Sequence, residues 1–373
     1  MVLYSEPYVE LKEKIGLSEM SEFENSFVCG LIKEKRPSKI LEIGVAAGGT
    51  TTVIMNCLNK LNLASEMYSV DLSPDYYRNP EKKCGFLVDE IGISISGKYQ
   101  LYTGNVIAEY IEEIGSNIDF LIIDTIHSCP GEILDFLAVL PFLKDHATVV
   151  LHDVGMHYEY SPRAFATQLL MDVVSADIIL ENDDSREGGY PNIAAFTCND
   201  GTKAYLYQVF SALNISWSYV PKEQHLESYR KIYRQYYSKE LLDVFEVAVQ
   251  LNKKCLQRNR DKVLSGIAEL SDLLQWVKDA DSVYIYGKGD RGSKIYDILE
   301  QNHIHICSYI VTKKSQEEDD CVEIKDAVLA EKDKVIVAAS GFTWKAMVVQ
   351  LNEKKICNYK VISDNINILL GMI

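Results

Sequence analysis

The segment at residues 40–52, which reads ILEIGVAAGGTTT, limits the possible fold more than any other part of the sequence. An apolar run predicts a buried strand, which ends in a turn of small residues before helical spacing resumes. Gly44 and Gly48 allow positive φ and a close approach of the backbone to a ligand, and the free N–H groups of the new helix face the same space. The segment therefore predicts a strand, a tight loop and a helix, with a small molecule bound above Gly44 and hydrogen-bonded by Glu42.

Strands and helices alternate after this segment. Apolar strand patterns at residues 67–72, 99–103, 119–124 and 147–151 are separated by helical patterns, two of which cover residues 81–91 and 131–144. Two further strands are predicted at residues 176–181 and 192–197. This alternation implies an α/β fold with a parallel sheet covered on both faces, in which ligands bind at the carboxyl ends of the strands. Polar residues fall at these ends, namely Asp71, Asn105, Asp124, His152 and Asp153.

The length of 373 residues predicts two domains and a connecting segment. We expect a first domain at residues 1–200, a helical connector rich in tyrosine at residues 201–280, and a small Rossmann-like α/β domain at residues 281–373. The last of these begins with a strand, a GxGxxG loop at residues 287–292 and a helix. A dinucleotide site also needs an acidic residue about 20 positions later, where this sequence has Thr312-Lys313-Lys314. An NAD-binding protein or a nucleotide-sugar oxidoreductase that uses the GxGxxG loop is an alternative function, which the missing acidic residue disfavours.

Composition excludes several classes of protein. Hydrophobic residues make up 47% of the chain, which is typical of a globular protein, and the formal net charge of -16 opposes binding to nucleic acid. No apolar run reaches the roughly 18 residues of a membrane span, and the polar first residues predict no signal peptide, so we expect a cytoplasmic protein. The nine cysteines form no CxxC pair and predict reduced thiols.

A small-molecule substrate is the expected partner, and the tyrosine-rich helices are candidate contact surfaces for a homo-oligomer.

The glycine loop resembles that of the class I methyltransferases that use S-adenosylmethionine (SAM). Their acidic-x-Gly-x-x-x-Gly motif corresponds to residues 42–48, and the acidic residue that ends their second strand corresponds to Asp71. The resemblance implies that the turn from Gly44 to Gly48 contacts the methionine part and that Asp71 accepts hydrogen bonds from the ribose hydroxyls. The alternative for Asp71 is a helix N-cap or turn former before Ser73. The residues expected at the SAM site are Glu42, Gly44, Val45, Ala46, Gly48, Thr50, Asp71, Asn105 and Asp124.

Residues 122–154 resemble the macrocin- and mycinamicin-type sugar O-methyltransferases, and also proteins described as cephalosporin hydroxylases. The resemblance implies a magnesium site formed by Asp124 and the pair His152-Asp153, with His127 as the general base. His152 departs from the family pattern because an acid is expected there, and imidazole suits a transition metal better than Mg²⁺. The alternatives are a capping or loop role for His127, a hydrogen bond from His152 to a backbone carbonyl, and an N-cap role for Asp153.

These features together predict a SAM-dependent O-methyltransferase, assisted by a divalent cation, that acts on a hydroxyl of a sugar, nucleotide sugar or secondary metabolite. A histidine with a pKa near neutrality can take the hydroxyl proton, and a cation held by carboxylates can orient the oxygen. The last ~90 residues resemble the small domain at the start of bacterial sugar acetyltransferases, which implies a nucleotide- or sugar-binding role. A third reading is a ligand-binding scaffold without catalysis. Residues placed to line the acceptor pocket are His157, Tyr158, Tyr160, Arg163 and the loop at residues 184–192.

Overall fold

A computed structural model describes residues 2–16, 18–159, 164–314, 320–339 and 343–370. The chain divides into two compact units, Met1–Lys253 and Lys254–Ile373. The boundary between them lies inside the segment predicted to be a helical connector. The extents of the predicted domains remain a prediction.

The first unit alternates helices and strands over most of its length. Its elements, ending with the helix that contains the unit boundary, are α1 (Glu6–Val9), α2 (Lys12–Ile15), α3 (Glu22–Lys35), β1 (Lys39–Ile43), α4 (Gly49–Lys60), β2 (Glu66–Asp71), β3 (Asp75–Tyr76), β4 (Asn79–Lys83), α5 (Phe86–Ile91), β5 (Tyr99–Thr103), α6 (Ile107–Ile114), β6 (Ile118–Ile123), α7 (Gly131–Val139), β7 (Leu143–His152), α8 (Met156–Glu159), α9 (Ala166–Val173), β8 (Ala176–Ile179), β9 (Ile193–Cys198), α10 (Asp200–Ala204), α11 (Leu206–Ala212), α12 (Glu223–Tyr236) and α13 (Lys239–Val277).

Seven of these strands form one sheet in the order β5-β2-β1-β6-β7-β9-β8. The first five in this order are parallel, and β9 is antiparallel to both of its neighbours. The prediction of a parallel sheet is therefore wrong for β9. A loop rather than a crossover helix joins β8 to β9, and antiparallel neighbours can be connected in this way.

Two predicted helices have different limits in the structure. The helix predicted at residues 81–91 begins only at Phe86, because residues 79–83 form the second strand of a hairpin with β3. The helix predicted at residues 131–144 ends at Val139, and a short 3-10 turn at Leu140–Phe142 leads into β7. Pro141 lies in that turn and has no backbone N–H to continue the helix.

Both faces of the seven-stranded sheet are buried, as expected for a sheet covered by helices. Alternate strand residues such as Leu121 and Ile122 belong to two separate hydrophobic clusters. Helices α3, α4 and α5 contribute to one cluster, while α6, α7, α9 and the tyrosine-rich α12 contribute to the other. Tyr229 and Tyr233 of α12 are buried in this core, so these two tyrosines stabilise the first unit and are not surface residues. The α/β architecture of the first unit confirms the predicted Rossmann-like fold.

The second unit contains a separate parallel sheet in the order β12-β11-β10-β13-β14. Its elements after α13 are β10 (Val283–Tyr286), α14 (Asp290–Gln301), β11 (Ile306–Val311), β12 (Cys321–Glu323), β13 (Lys334–Val337), α15 (Thr343–Glu353), β14 (Tyr359–Val361) and α16 (Asp364–Leu369). Two hydrophobic clusters cover the two faces of this sheet. Among the described residues of both units, none of the helices combines the length and apolar character that crossing a membrane requires.

Candidate active site

The glycine loop follows β1, an inner strand that pairs with β2 and β6. Gly44 has φ +93, and a Cβ at this position would lie 1.7 Å from the carbonyl oxygen of Asp124. Gly48 has φ +88 and is the N-cap residue of α4. Only glycine fits at Gly44, because any side chain would collide with the backbone at the end of β6. The glycine loop and Asp124 are therefore direct neighbours at the carboxyl edge of the sheet.

Asp71 at the end of β2 shapes this loop. Its Oδ2 accepts hydrogen bonds from the backbone N–H groups of Val45 (2.9 Å) and Ala46 (3.1 Å). Its Oδ1 accepts from the N–H of Ser73 at 2.8 Å, so the turn-forming role is present as well. Ala46 has φ +50, a left-handed conformation that these contacts help to hold. The proposed contact of Asp71 with a ribose remains a prediction.

Glu42 lies buried beneath the loop. Its Oε2 accepts hydrogen bonds from the hydroxyls of Thr51 and Ser69, both at 2.7 Å. Burial raises the pKa of Glu42 to about 7, with smaller contributions from the charges of Asp124 and Asp71, although the two hydroxyls oppose the change. Glu42 thus connects α4 and β2 beneath the loop through its hydrogen bonds with Thr51 and Ser69.

Two other residues predicted at the SAM site lie near the same edge of the sheet. Thr50 is buried in the first turn of α4, next to the loop. Asn105 follows β5 and is half-buried, and its Oδ1 accepts a hydrogen bond from the N–H of Val106 at 3.0 Å. No contact between either residue and the acidic cluster described next is found among the described residues.

Asp124, His152 and Asp153 meet at the ends of the neighbouring strands β6 and β7. Nδ1 of His152 lies 2.9 Å from Oδ1 of Asp124 and 3.2 Å from Oδ2 of Asp153. One potential ligand atom from each residue lies within 4.8 Å of the other two. The sequence predicted this grouping, because the carboxyl ends of adjacent parallel strands share one edge of the sheet.

Two further residues, Glu24 and Asn192, complete this cluster. Oε1 of Glu24 lies 3.3 Å from Nε2 of His152, which is ion-pair distance, although the N–H is not directed well enough for a hydrogen bond. Nδ2 of Asn192 donates to Oε1 of Glu24 at 3.1 Å and to Oδ1 of Asp153 at 2.6 Å. Sequence reasoning missed both residues. The pattern Ser21-x-x-Glu24 is a capping-box signature that marks the start of α3, but it carries no information about His152.

The charges in the cluster are strongly coupled. Burial lowers the pKa of His152, but the charge of Asp124 and the contacts with Asp124, Asp153 and Glu24 outweigh it, so the pKa lies well above its ordinary value. Burial raises the pKa of Glu24, but the close contact with His152 and the charge of its ring lower it to about 2. The pKa of Asp153 is lowered for the same reason. The contacts with Asp124, Asp153 and Glu24 therefore favour the protonated form of His152.

His127 follows β6 and contacts the cluster through Asp153. Its Nε2 lies 3.1 Å from Oδ2 of Asp153. Its backbone N–H donates to Oε1 of Glu132, and its Nδ1 lies 3.9 Å from the same oxygen. His127 has φ +58 and Asp153 also has φ +58, so both contacting residues are in the left-handed region. Such strain is common at functional sites and requires support from the surrounding structure.

A buried acidic pair supports the His127 loop. Glu132 is 0% exposed and also accepts a hydrogen bond from the hydroxyl of Thr125 at 3.2 Å. Burial raises the pKa of Glu132 to about 8 and that of Asp135 to about 6. Tyr229 donates to Oδ1 of Asp135 at 2.6 Å, which links α12 to the loop. Sequence reasoning missed this pair because both residues fall within an otherwise apolar helix.

The residues predicted to line the acceptor pocket are placed only in part. Tyr158 is 72% exposed, its ring is tilted by 39° against that of His157 with centroids 3.9 Å apart, and it meets Tyr190 edge-on at 5.5 Å. These rings lie on α8, which follows Asp153, and on the loop before β9. Tyr160 and Arg163 lie outside the described residues. The aromatic rings provide an apolar surface close in sequence to the cluster.

The donor set of the cluster fits a divalent cation. The imidazole nitrogen lies 2.9 Å from one carboxylate oxygen and 3.2 Å from the other. These distances are close to the spacing of neighbouring ligands around a metal with bonds of about 2.1 Å. The orphan Nε2 of His152 opposite Glu24 corresponds to the histidine–carboxylate contact common in metal sites. Binding through Nδ1 requires loss of its proton, as is usual when metals bind.

Parts of the chain are similar to known methyltransferases. A family model described as a methyltransferase domain matches residues 41–154. Structurally similar chains include the O-methyltransferase TomG of Streptomyces achromogenes, involved in tomaymycin synthesis and solved with SAM (16% identity, 53% of this chain and 92% of that chain, TM-score 0.37). An O-methyltransferase of Bacillus cereus in complex with SAH is 15% identical (51% and 88%, TM-score 0.35). No curated protein matches the chain. Residues 41–154 thus match a methyltransferase domain, in agreement with the predicted methyltransferase.

Proposed function

We propose that this methyltransferase transfers a methyl group to a hydroxyl oxygen of a sugar, nucleotide sugar or secondary metabolite. His127 is the general base, and Asp124, His152 and Asp153 hold a divalent cation. The observation that carries the proposal is the direct contact between the glycine loop, where the methyl donor would bind, and Asp124 of the acidic cluster. The position of a Cβ on Gly44 would lie 1.7 Å from the carbonyl oxygen of Asp124, so a methyl donor above the loop would be next to the cluster.

Methyl transfer to an alcohol needs a base. The acceptor oxygen forms a bond to the methyl carbon while the carbon–sulfur bond of the sulfonium breaks, and the hydroxyl proton must leave the oxygen. Nε2 of His127 is the nitrogen on the side of the cluster, whereas Nδ1 faces Glu132. When Nε2 takes the proton, the resulting imidazolium is stabilised by Oδ2 of Asp153 at 3.1 Å.

The cation site assists by positioning. A bound divalent cation would polarise the acceptor oxygen and lower the pKa of its hydroxyl. Asp124 and Asp153 supply hard oxygen donors, while Nδ1 of His152 supplies a softer nitrogen donor. Asn192 fixes the rotamer of Asp153 through its 2.6 Å hydrogen bond, so that the other carboxylate oxygen faces His127 and His152.

Replacement of His127 by alanine tests the assignment of the base. We expect H127A to lose at least ~100-fold in transfer of a labelled methyl group from SAM to a panel of sugar, nucleotide-sugar and polyketide hydroxyls. Its affinity for SAM, measured by calorimetry, should stay at the wild-type value. The matched control is H146A, because His146 is an exposed histidine of β7 outside the cluster. A fully active H127A enzyme would contradict the proposed role.

We also propose that residues 281–373 bind a nucleotide or nucleotide sugar. The supporting observation is the packing of the glycine loop between β10 and α14. A Cβ on Gly292 would lie 1.9 Å from the carbonyl oxygen of Gly287, which itself has φ +109, so the loop needs glycine at both positions. Calorimetry of the whole chain with NAD and with UDP-glucose tests this proposal. If neither ligand gives a binding signal, the proposal is contradicted.

A further inference from the structure

We propose that Glu24, a residue of helix α3, is a positioning residue of the cation site. It holds Nε2 of His152 so that Nδ1 is presented to the cation between Asp124 and Asp153. This inference rests on the cation site of the proposed function. It adds a part of the chain that lies outside the segment matching the methyltransferase domain.

Both carboxylate oxygens of Glu24 have separate tasks. Oε2 accepts the backbone N–H of Ser21 at 2.6 Å and so closes the capping box of α3. Oε1 faces Nε2 of His152 at 3.3 Å and accepts the amide of Asn192 at 3.1 Å. A capping box needs only one of the two oxygens and no charge, since Gln serves as well as Glu. The second oxygen is therefore available to His152.

Burial gives the stronger argument. Glu24 is only 4% exposed, and a buried carboxylate is destabilising by several kcal/mol unless it is paired. Among the described residues, the ring that faces Glu24 is the imidazole of His152, whose Nε2 has no well-directed hydrogen bond. Helix capping at the protein surface would avoid this burial. The placement of Glu24 is explained when its charge orients the imidazole.

The arrangement is that of a metal-bound histidine with a supporting carboxylate. In such sites the ring nitrogen away from the metal donates to a carboxylate, which fixes the tautomer and strengthens the ligand. When the ring proton is on Nε2, the side that faces Glu24, the lone pair of His152 lies on Nδ1, the atom 2.9 Å from Asp124. A site with an imidazole ligand favours Mn²⁺, Co²⁺ or Zn²⁺ over Mg²⁺.

Titration of the full-length protein with Co²⁺, followed by visible absorption, tests this role without an activity assay. We expect E24Q to weaken Co²⁺ binding roughly 10- to 100-fold, while SAM affinity remains at the wild-type value. E22Q removes an exposed charge from the same helix turn and should bind as the wild type does. S21A removes the hydroxyl of the capping box but leaves Glu24 opposite His152, and it should also bind normally.

The outcomes separate this inference from the proposed function. If Co²⁺ gives the same weak visible absorption with the wild type and with D124N, the cation site itself is absent. If D124N abolishes binding but E24Q matches the wild type, only the role of Glu24 is overturned. An equal loss in E24Q and S21A would assign the effect to helix capping and would also overturn it. Should E24Q fail to fold, E24D decides, because it keeps the charge but shortens the reach to His152 and should still weaken Co²⁺ binding.

Discussion

Replacement of Glu42 by glutamine is expected to change how the stability of the first unit depends on pH. Glu42 is buried, and its pKa is about 7 compared with an ordinary value of 4.5. In the unfolded chain the carboxyl ionises near the ordinary value, whereas in the folded chain it stays protonated up to about pH 7. The unfolded state therefore binds fewer protons between these values, and the free energy of unfolding falls as pH rises through this window.

The magnitude follows from the difference between the two pKa values. At about 1.4 kcal/mol per pKa unit, ionised Glu42 destabilises the folded state by about 3 kcal/mol above pH 7. The glutamine side chain of E42Q is neutral at every pH and can still accept from Thr51 and Ser69. E42Q should therefore gain about 2 to 3 kcal/mol relative to the wild type between about pH 5 and pH 8.

Urea denaturation at the two pH values measures this difference. Trp217 is buried in the first unit, and the other two tryptophans, Trp276 and Trp344, lie in the second. A W276F/W344F background thus reports unfolding of the first unit by fluorescence. E13Q, at an exposed glutamate of α2, is the control and should follow the wild type. We compare the free energy of unfolding of E42Q in the W276F/W344F protein with that of the W276F/W344F protein itself. If this difference is the same at pH 5 and at pH 8, the buried-acid reasoning is refuted.

Two other substitutions test neighbouring features. Gly44→Ala would place a methyl group 1.7 Å from the carbonyl oxygen of Asp124, so we expect calorimetry to show at least a tenfold loss of SAM affinity. Gly289→Ala, where a Cβ would meet no atom within 4 Å, should leave SAM affinity unchanged. Tyr229→Phe leaves Oδ1 of the buried Asp135 without its 2.6 Å donor and should lower the free energy of unfolding by about 1 to 3 kcal/mol in urea. A Tyr229→Phe protein as stable as the wild type would contradict this contribution.

The part of the site that could be predicted from sequence consists of residues at the ends of the predicted strands. Asp124 and the His152-Asp153 pair end strands with apolar patterns, and parallel neighbours bring such ends together. The register of β6 with β7 pairs Ile123 with Leu151, which places the following residues side by side. Gly44 was also predictable, because a glycine directly after a buried strand signals a special backbone conformation. The roles of these residues in catalysis remain predictions.

The remaining parts of the site depend on tertiary contacts that leave no local signal. Glu24 lies on a helix that precedes the sheet, and its helix-capping pattern explains it fully when only the sequence is considered. Asn192 reaches the cluster because β9 runs antiparallel to β7, a direction that strand propensity does not encode. The start of α5 at Phe86 was missed because a hairpin over residues 75–83 replaces the first part of the predicted helix.

The capping box of α3 has a consequence for any attempt to isolate a smaller catalytic fragment. The segment that matches the methyltransferase domain, residues 41–154, contains Asp124, His152 and Asp153 but neither Glu24 nor Asn192. A fragment with these limits would keep all three proposed ligands and lose the groups that face Nε2 of His152 and Oδ1 of Asp153. A fragment that keeps these contacts therefore has to include α3 and the chain from Asn192 through β9, which lie outside the limits given by sequence similarity.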